Sequence, residues 1–310
     1  VFFFKEELAR QSTVPFLSPD VLAIEDFVLE RSGLRLLDNV GLLFALYDTF
    51  KVIDPQVQFE RFAAWGGILL QDMDRIDQYL VNAKGLFSWV AAAKDLERWS
   101  PSELWQSNTP PQAPGPVAEQ YFKLFDNLTT VYQRFRTDLI SKGMAYRGMA
   151  YRQVAERLYE TFLEPTPLPY EFYFFVGFNA LSTSEEAIIT YLIDKKKAET
   201  LWDTDAYYME RNRYTEAGQL LRKYKANPRF GATNQWLWQT DGLLKGEKDI
   251  RVVAVTNASM QVKVAGAIRQ QWQANESTKD STAIVLGDEN LLLPMLYSLD
   301  ENVGEFNVTM

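Results

Sequence analysis

Neither cysteine nor histidine occurs among the 310 residues. That double absence removes disulfides, thiolate and imidazole metal sites, and every serine or cysteine nucleophile that relies on a histidine base. No run approaches about 18 uninterrupted apolar residues, so no segment reads as a membrane span. Positive charge is in deficit, with 32 basic residues against 41 acidic and a net charge of −9. The field of the whole molecule therefore opposes non-specific binding to a polyanion, and any nucleic-acid contact has to come from a local patch. The phosphate-binding pattern Gly-x-x-x-x-Gly-Lys-Ser/Thr is missing, as is any Gly-Lys dipeptide, so these residues are expected to hold no nucleotide, metal or other cofactor. The opening Val1-Phe2-Phe3-Phe4 has neither a Met nor a charged leader, which leads us to expect a piece of a longer cytoplasmic protein.

What is present centres on Phe172 to Tyr208. An aromatic run is followed by Gly177-Phe178-Asn179, then by Ser182-Thr183-Ser184-Glu185, then by a second short apolar run ending in Asp203-Thr204-Asp205. A run apolar at nearly every position suits a strand buried on both faces, of the kind found in helix-covered parallel sheets. Ser182 and Glu185 have capping-box spacing, so the order predicted is strand, helix, parallel strand.

Between about Leu34 and Leu163 the apolar period becomes helical. Phe62, Trp65, Leu69, Met73, Ile76 and Leu80 define one stripe, with Asp72, Asp74 and Asp77 expected on the other sides of that helix. Tyr121, Phe125, Leu128, Tyr132, Phe135 and Leu139 define a second stripe, and Leu43, Leu46, Tyr47 and Phe50 mark a further helix. The five prolines between Pro101 and Pro116 interrupt the block. Gly-Met-Ala-Tyr-Arg occurs twice in succession, at 143–147 and 148–152, a period that turns the copies away from each other on a helix and is far too short for a solenoid; it reads as an incidental local duplication. A short strand is expected at Val21–Ile24, and strands at Ile250–Val255, Ala283–Leu286 and Glu305–Val308 with helices between them.

The Phe172–Tyr208 order resembles the Walker B to motif III segment of superfamily 1 DNA helicases, and more closely its degenerate form in the Bacteroidetes AddB-like subunits of bacterial helicase-nuclease complexes. Leu69–Asp77, Glu216-Ala217-Gly218, Thr282–Leu286, Asp288–Leu296 and Asn307–Met310 follow the same family in the same order. The resemblance implies an α/β fold: a RecA-like, P-loop NTPase-type parallel sheet with a large all-α insertion and the start of a second RecA-like domain. The partial first domain would span 1–30 and 166–246, the insertion 31–165 and the second domain 247–310. It also implies a role in processing DNA double-strand-break ends for recombinational repair, with DNA and an AddA-type helicase as partners and no membrane. A PD-(D/E)XK nuclease domain, which would carry the metal and the DNA cleavage, would lie beyond Met310.

In active helicases the first strand ends in Asp-Glu-Phe-Gln-Asp, whose acids hold Mg²⁺ through water and position the attacking water. With Phe178 matched to the Phe, Val176 and Gly177 stand where the carboxylates belong and Asn179 follows; 172–184 contains no acid. The later Gly-Asp-x-x-Gln motif is represented by Asp203, Asp205 and Ala206, which keep acids and lack the Gln. The chain is therefore expected to be catalytically inert, with the ATP-dependent exonuclease activity belonging to the parent protein.

Other acids admit plainer readings. Asp288-Glu289 suits a helix start, and Asp194-Lys195-Lys196 suits a helix end better than a nuclease strand. Asp203 and Asp205 stand where α/β folds place ligands, or they cap local structure. Tyr207–Trp238 holds six basic residues, Arg211, Arg213, Arg222, Lys223, Lys225 and Arg229, against two acidic ones, interleaved with rings that include Trp236 and Trp238. Cations beside flat rings suit single-stranded nucleic acid; the alternative is a solvated face over a core of aromatics. The rival to a DNA guide is a helical protein-interaction module on an α/β base.

Overall fold

Side chains repeating every three or four residues build the first core, and one helix shares it with the second. The computed structural model describes residues 2–99, 116–158, 160, 170–210, 216–231, 236, 239–273, 282–299 and 306–308. These form a mostly helical, mixed α/β chain whose strands occur as three short parallel pairs, and the chain divides into two units, 1–245 and 246–310. The proline-rich 101–115, together with Tyr121 and Phe125 as side chains, lie outside the described residues.

Helix α1 (Phe2–Gln11) precedes α2 (Ile24–Ser32). No strand forms at Val21–Ile24, contrary to expectation: Ile24 already begins α2, whose first turn carries Glu25 and Asp26 where carboxylates meet the positive end of the helix dipole. Strand β1 (Arg35–Leu36) leads to α3 (Asn39–Ile53), α4 (Phe59–Gln78), α5 (Ala83–Trp99) and α6 (Pro116–Ser141). Strand β2 (Met144–Ala145) then pairs in parallel with β1 and runs into α7 (Arg147–Glu156). Leu46, Phe62, Met73, Phe135 and Leu139 are buried in the first core, as the stripes predict; Phe87 of α5, outside those stripes, joins them, and Leu80 falls beyond the end of α4 with φ +52°.

Asp77 departs from its predicted place. It is fully buried, 0% exposed, and accepts hydrogen bonds from the Tyr132 and Tyr146 hydroxyls. Arg152 Nε lies 2.7 Å and Arg136 Nε 3.7 Å from its carboxylate. Burial first, and the adjacent Asp77 charge second, push both phenols well above the ordinary tyrosine value, which keeps them protonated and donating. Arg152 Nη2 also donates to the Ile76 and Val81 carbonyls at 3.0 and 2.5 Å, so its cation sits at the negative end of α4.

The duplicated pentapeptide contributes two members of this hub, one from each copy. The first copy forms the turn, β2, the residue preceding α7 and the first residue of that helix, and delivers Tyr146; the second lies within α7, entirely buried, and delivers Arg152. Tyr146, Met149 and Ala150 belong to the first core, whereas Tyr151 and Val154 belong to the second.

The second core covers the predicted strand–helix–strand unit. Strand β3 (Tyr173–Val176) pairs in parallel with β4 (Ala198–Leu201), from Tyr173 opposite Ala198 to Val176 opposite Leu201, and α8 (Thr183–Asp194) connects them. The capping box at Ser182 is complete: Ser182 N–H donates to Glu185 Oε2 at 2.8 Å, and Glu185 N–H donates to Ser182 Oγ at 3.3 Å. Both residues are buried, so Ser182→Ala is expected to cost about 1–2 kcal/mol in urea unfolding, the upper part of the range for lost caps.

Burial of β3 on both faces is not what forms. Phe175 is buried against α2 and α8 residues, whereas Phe174 is 62% exposed and Phe172 and Val176 are exposed with it. The pair is only two strands wide, and among the described residues the second core covers one face. Beyond it, β5 (Thr204–Asp205) is followed by α9 (Ala206–Met209), α10 (Gln219–Ala226) and α11 (Pro228–Gly231). Strand β6 (Gln239–Thr240) pairs in parallel with β5 and precedes α12 (Gly242–Lys245).

In the second unit α13 (Ala258–Gln273) packs on α14 (Leu292–Ser298) through Val262 and Met295, and Ser298 Oγ donates to the Val262 carbonyl at 3.0 Å. The strands expected at Ile250–Val255 and Ala283–Leu286 join no ladder, and neither does 306–308. β-branched composition favours an extended backbone, but a ladder also needs a partner strand, and the described residues of this unit provide none. Val252 and Val285 are accordingly 92% and 90% exposed.

Candidate functional site

The C-terminal ends of β3, β4 and β5 converge on a cleft of about 390 Å³. Asn179, Asp203, Thr204, Asp205, Tyr208 and Thr240 give it a polar lining, and Ala217 and Leu221 an apolar one. Strand ends in parallel α/β folds are where ligands bind, because side chains and loops diverge there and leave a crevice. Asn179, Asp203 and Asp205, separated by up to 26 positions in sequence, thus share one site.

Val176 ends β3, and Gly177 follows with φ +81°, its N–H reaching the Leu201 carbonyl at 3.4 Å. An L side chain at Gly177 would be strained by that backbone, so the place matched to a catalytic acid is one where an acid could not be seated without rearrangement. Phe178 turns into the second core, and Ala206 opens α9.

The two acids do different work. Asp205 caps α9, accepting from Tyr207 N–H at 2.9 Å, and also accepts from Thr240 Oγ1 at 3.0 Å and Leu243 N–H at 3.2 Å. The Tyr207 N–H foremost, with the Leu243 and Thr240 donors, holds its carboxyl below the usual range. Asp203 is exposed and its carboxylate has no hydrogen-bond or ionic partner among the described residues. Thr204 between them is 4% exposed, and its hydroxyl has no hydrogen-bond partner among the described residues. Tyr208 was noted in the sequence only as a ring of the basic segment, and Thr204, Leu221 and Thr240 were not singled out; Thr204 could have been, since it sits between two flagged acids, whereas Thr240 arrives only through the β5–β6 pairing.

The basic segment flanks this site. Arg222 is half-buried and donates to the Tyr208 carbonyl, which ties α10 to α9. Lys223, Lys225 and Arg229 are exposed: Lys223 Nζ lies 3.9 Å from Glu186, Lys225 Nζ donates to Gln239 Oε1 at 3.1 Å, and Arg229 pairs with Asp194 at 3.1 Å. Exposed pairs of this kind contribute little to stability and exchange readily for other anions. The rings are engaged inward. Tyr224 and Phe230 are buried, and Trp236 stacks on Trp202 at 5.3 Å with planes 4° apart while its indole N–H donates to the Phe230 carbonyl. Arg211, Arg213 and Trp238 lie outside the described residues.

Asp288 accepts from Asn290 N–H at 3.0 Å at the start of a short 3-10 turn, and Asp194 ends α8 with Lys196 just beyond it at φ +57°. Both acids therefore sit at helix ends. No helix among the described residues is long and apolar enough to cross a membrane. Comparison with protein-family models, with curated proteins and with solved structures finds no match to this chain.

Proposed function

We propose that the chain is a non-catalytic, helicase-like DNA-guiding scaffold, part of an AddB-like subunit of a helicase-nuclease that processes DNA ends with an AddA-type partner. The observation that carries this reading is the parallel β3–α8–β4 unit whose first strand is followed directly by Gly177 at positive φ, where an active helicase needs its acids. In this reading the unit belongs to an inactive RecA-like sheet, 31–165 is its insertion, and 247–310 opens a second RecA-like domain. Lys223, Lys225 and Arg229 supply the phosphate contacts, since all three are exposed; each makes one ion pair or polar contact at the surface, and Lys223 and Lys225 also lie over the Tyr224 and Trp236 rings.

The inward rings favour charge over stacking as the basis of affinity, and they are also what a pure interaction module would have. Salt dependence separates the two. Each phosphate contact on a single strand contributes about 0.7 to the slope of log K against log salt. Lys223→Ala, Lys225→Ala and Arg229→Ala together should flatten the slope by about 2 in low-salt titrations of single-stranded DNA. An unchanged slope and affinity would reject the DNA-guide reading in favour of the interaction module.

A further inference from the structure

Lys195 and Lys196 follow directly on Asp194 at the C-terminal end of α8, and both are exposed. Lysines in such a place ordinarily serve the negative end of a helix. Here the backbone closes that end by itself: Lys195 N–H donates to the Tyr191 carbonyl at 3.1 Å, Lys196 N–H to that of Ile193 at 2.8 Å, and Lys197 N–H to that of Leu192 at 2.9 Å. The last two bonds make a Schellman turn, whose left-handed position, the usual place of glycine, is held by Lys196 at φ +57°. Lys195 Nζ lies 5.6 Å from the centre of the Tyr191 ring, and the Lys196 side chain has no hydrogen-bond or ionic partner among the described residues. A strained backbone beneath an exposed, unengaged cation points to the side chain as the reason for lysine there.

The fold sets this turn beside the basic segment. Asp194 pairs with Arg229 of α11 at 3.1 Å, and Glu186, eight residues or about 12 Å earlier along α8, lies 3.9 Å from Lys223 of α10. Two cations of the segment are thereby laid along α8, and Lys195 and Lys196 follow at its end. Together with Lys225 they make five exposed cations against two acids, Glu186 and Asp194, that are already paired within the group. We propose, resting on the DNA-guide reading, that the phosphate-binding surface extends onto the C-terminal turn of α8, with Lys195 and Lys196 as two further contacts to the backbone of single-stranded DNA.

Anisotropy titrations of the full chain against labelled oligo-dT over a range of salt concentrations test this. Lys195→Ala with Lys196→Ala should lower the salt slope by about 1.4, at about 0.7 for each phosphate contact, and weaken binding severalfold at the lowest salt. Lys196→Gly alone should lower the slope by about 0.7 while the melting temperature holds or rises by up to about 2 °C, because glycine relieves the left-handed backbone. A helix-capping role would instead lower the melting temperature of the alanine pair and leave the slope alone, and that result overturns the proposal. So does an equal loss of slope in Lys84→Ala with Lys142→Ala, two exposed lysines within 31–165, since the effect would then be one of net charge. If the slope responds to Lys223→Ala, Lys225→Ala and Arg229→Ala but not to the α8 pair, the surface ends at the basic segment and only the extension falls. If it responds to neither set, the DNA-guide reading falls with it.

Discussion

Asp77→Ala is expected to remove about 3–5 kcal/mol of stability, the cost of taking one partner from a buried ion pair. The carboxylate is wholly buried and is the common acceptor for Tyr132 and Tyr146. Its removal takes a carboxylate partner from Arg136 and Arg152, whose side chains are only 19% and 10% exposed, and leaves Arg152 with the half-exposed Glu156 at 2.9 Å. Two phenols lose their acceptor as well, and each unpaired buried hydroxyl adds to the loss. Urea unfolding followed by circular dichroism measures the effect. Asp77→Asn, which keeps the shape and part of the hydrogen bonding, should fall between the parent and Asp77→Ala. A loss below about 1 kcal/mol for the alanine variant would mean that the two arginines find other anions or water, and that the hub is not a structural one.

Gly148→Ala should be the next most damaging change. A Cβ at Gly148 would collide with the backbone carbonyl of Asp74, and Asp74 Oδ1 already accepts the Gly148 N–H at 2.5 Å. The obstacle is the backbone of α4, not the end of a flexible side chain, so relief requires moving α7 away from α4. We expect about 3 kcal/mol, the upper end for overpacking. Gly67→Ala is the matched control: it lies in α4, a Cβ there meets nothing within 4 Å, and the same substitution should stabilise by up to about 1 kcal/mol through helix propensity. Opposite signs at the two sites in one set of urea melts would establish close helix approach as the cause. A loss at both would point to some general effect of the substitution.

What could be read from the sequence was what is local. The capping box at Ser182, the helix stripes and the β3–α8–β4 order all depend on spacings of two to four residues, or on one short connection, and they form as expected. Asp77 was misplaced because its residue type argued for the surface, although its position argued for the core: it lies four residues after Met73 and one after Ile76, on the apolar stripe itself. What permits its burial arrives from Tyr132, Tyr146 and Arg152, between 55 and 75 positions away, a distance no spacing rule spans. The same limit explains Ile250–Val255, where composition favours an extended backbone but pairing depends on a remote strand. At the candidate site, Asp203 and Asp205 were visible as acids at a strand end. The cap that Asp205 makes on Tyr207 N–H is local, but its further engagement by Thr240 and Leu243, which sets it apart from Asp203, comes from residues that only the fold brings near.

The doubled Gly-Met-Ala-Tyr-Arg sequence has a consequence at the level of replication. Loss of either copy by slippage would yield one and the same polypeptide, so the two deletions cannot be told apart in the product. The surviving unit would still hold one tyrosine and one arginine, adjacent in sequence. In the fold, however, Asp77 draws its tyrosine from the first unit, at the residue before α7, and its arginine from the second, more than a turn further along that helix. A single unit cannot stand in both places. Contraction of the repeat is therefore not silent: it leaves a composition that looks complete and a hub that keeps Tyr132 and Arg136 but lacks either the Tyr146 phenol or the Arg152 guanidinium.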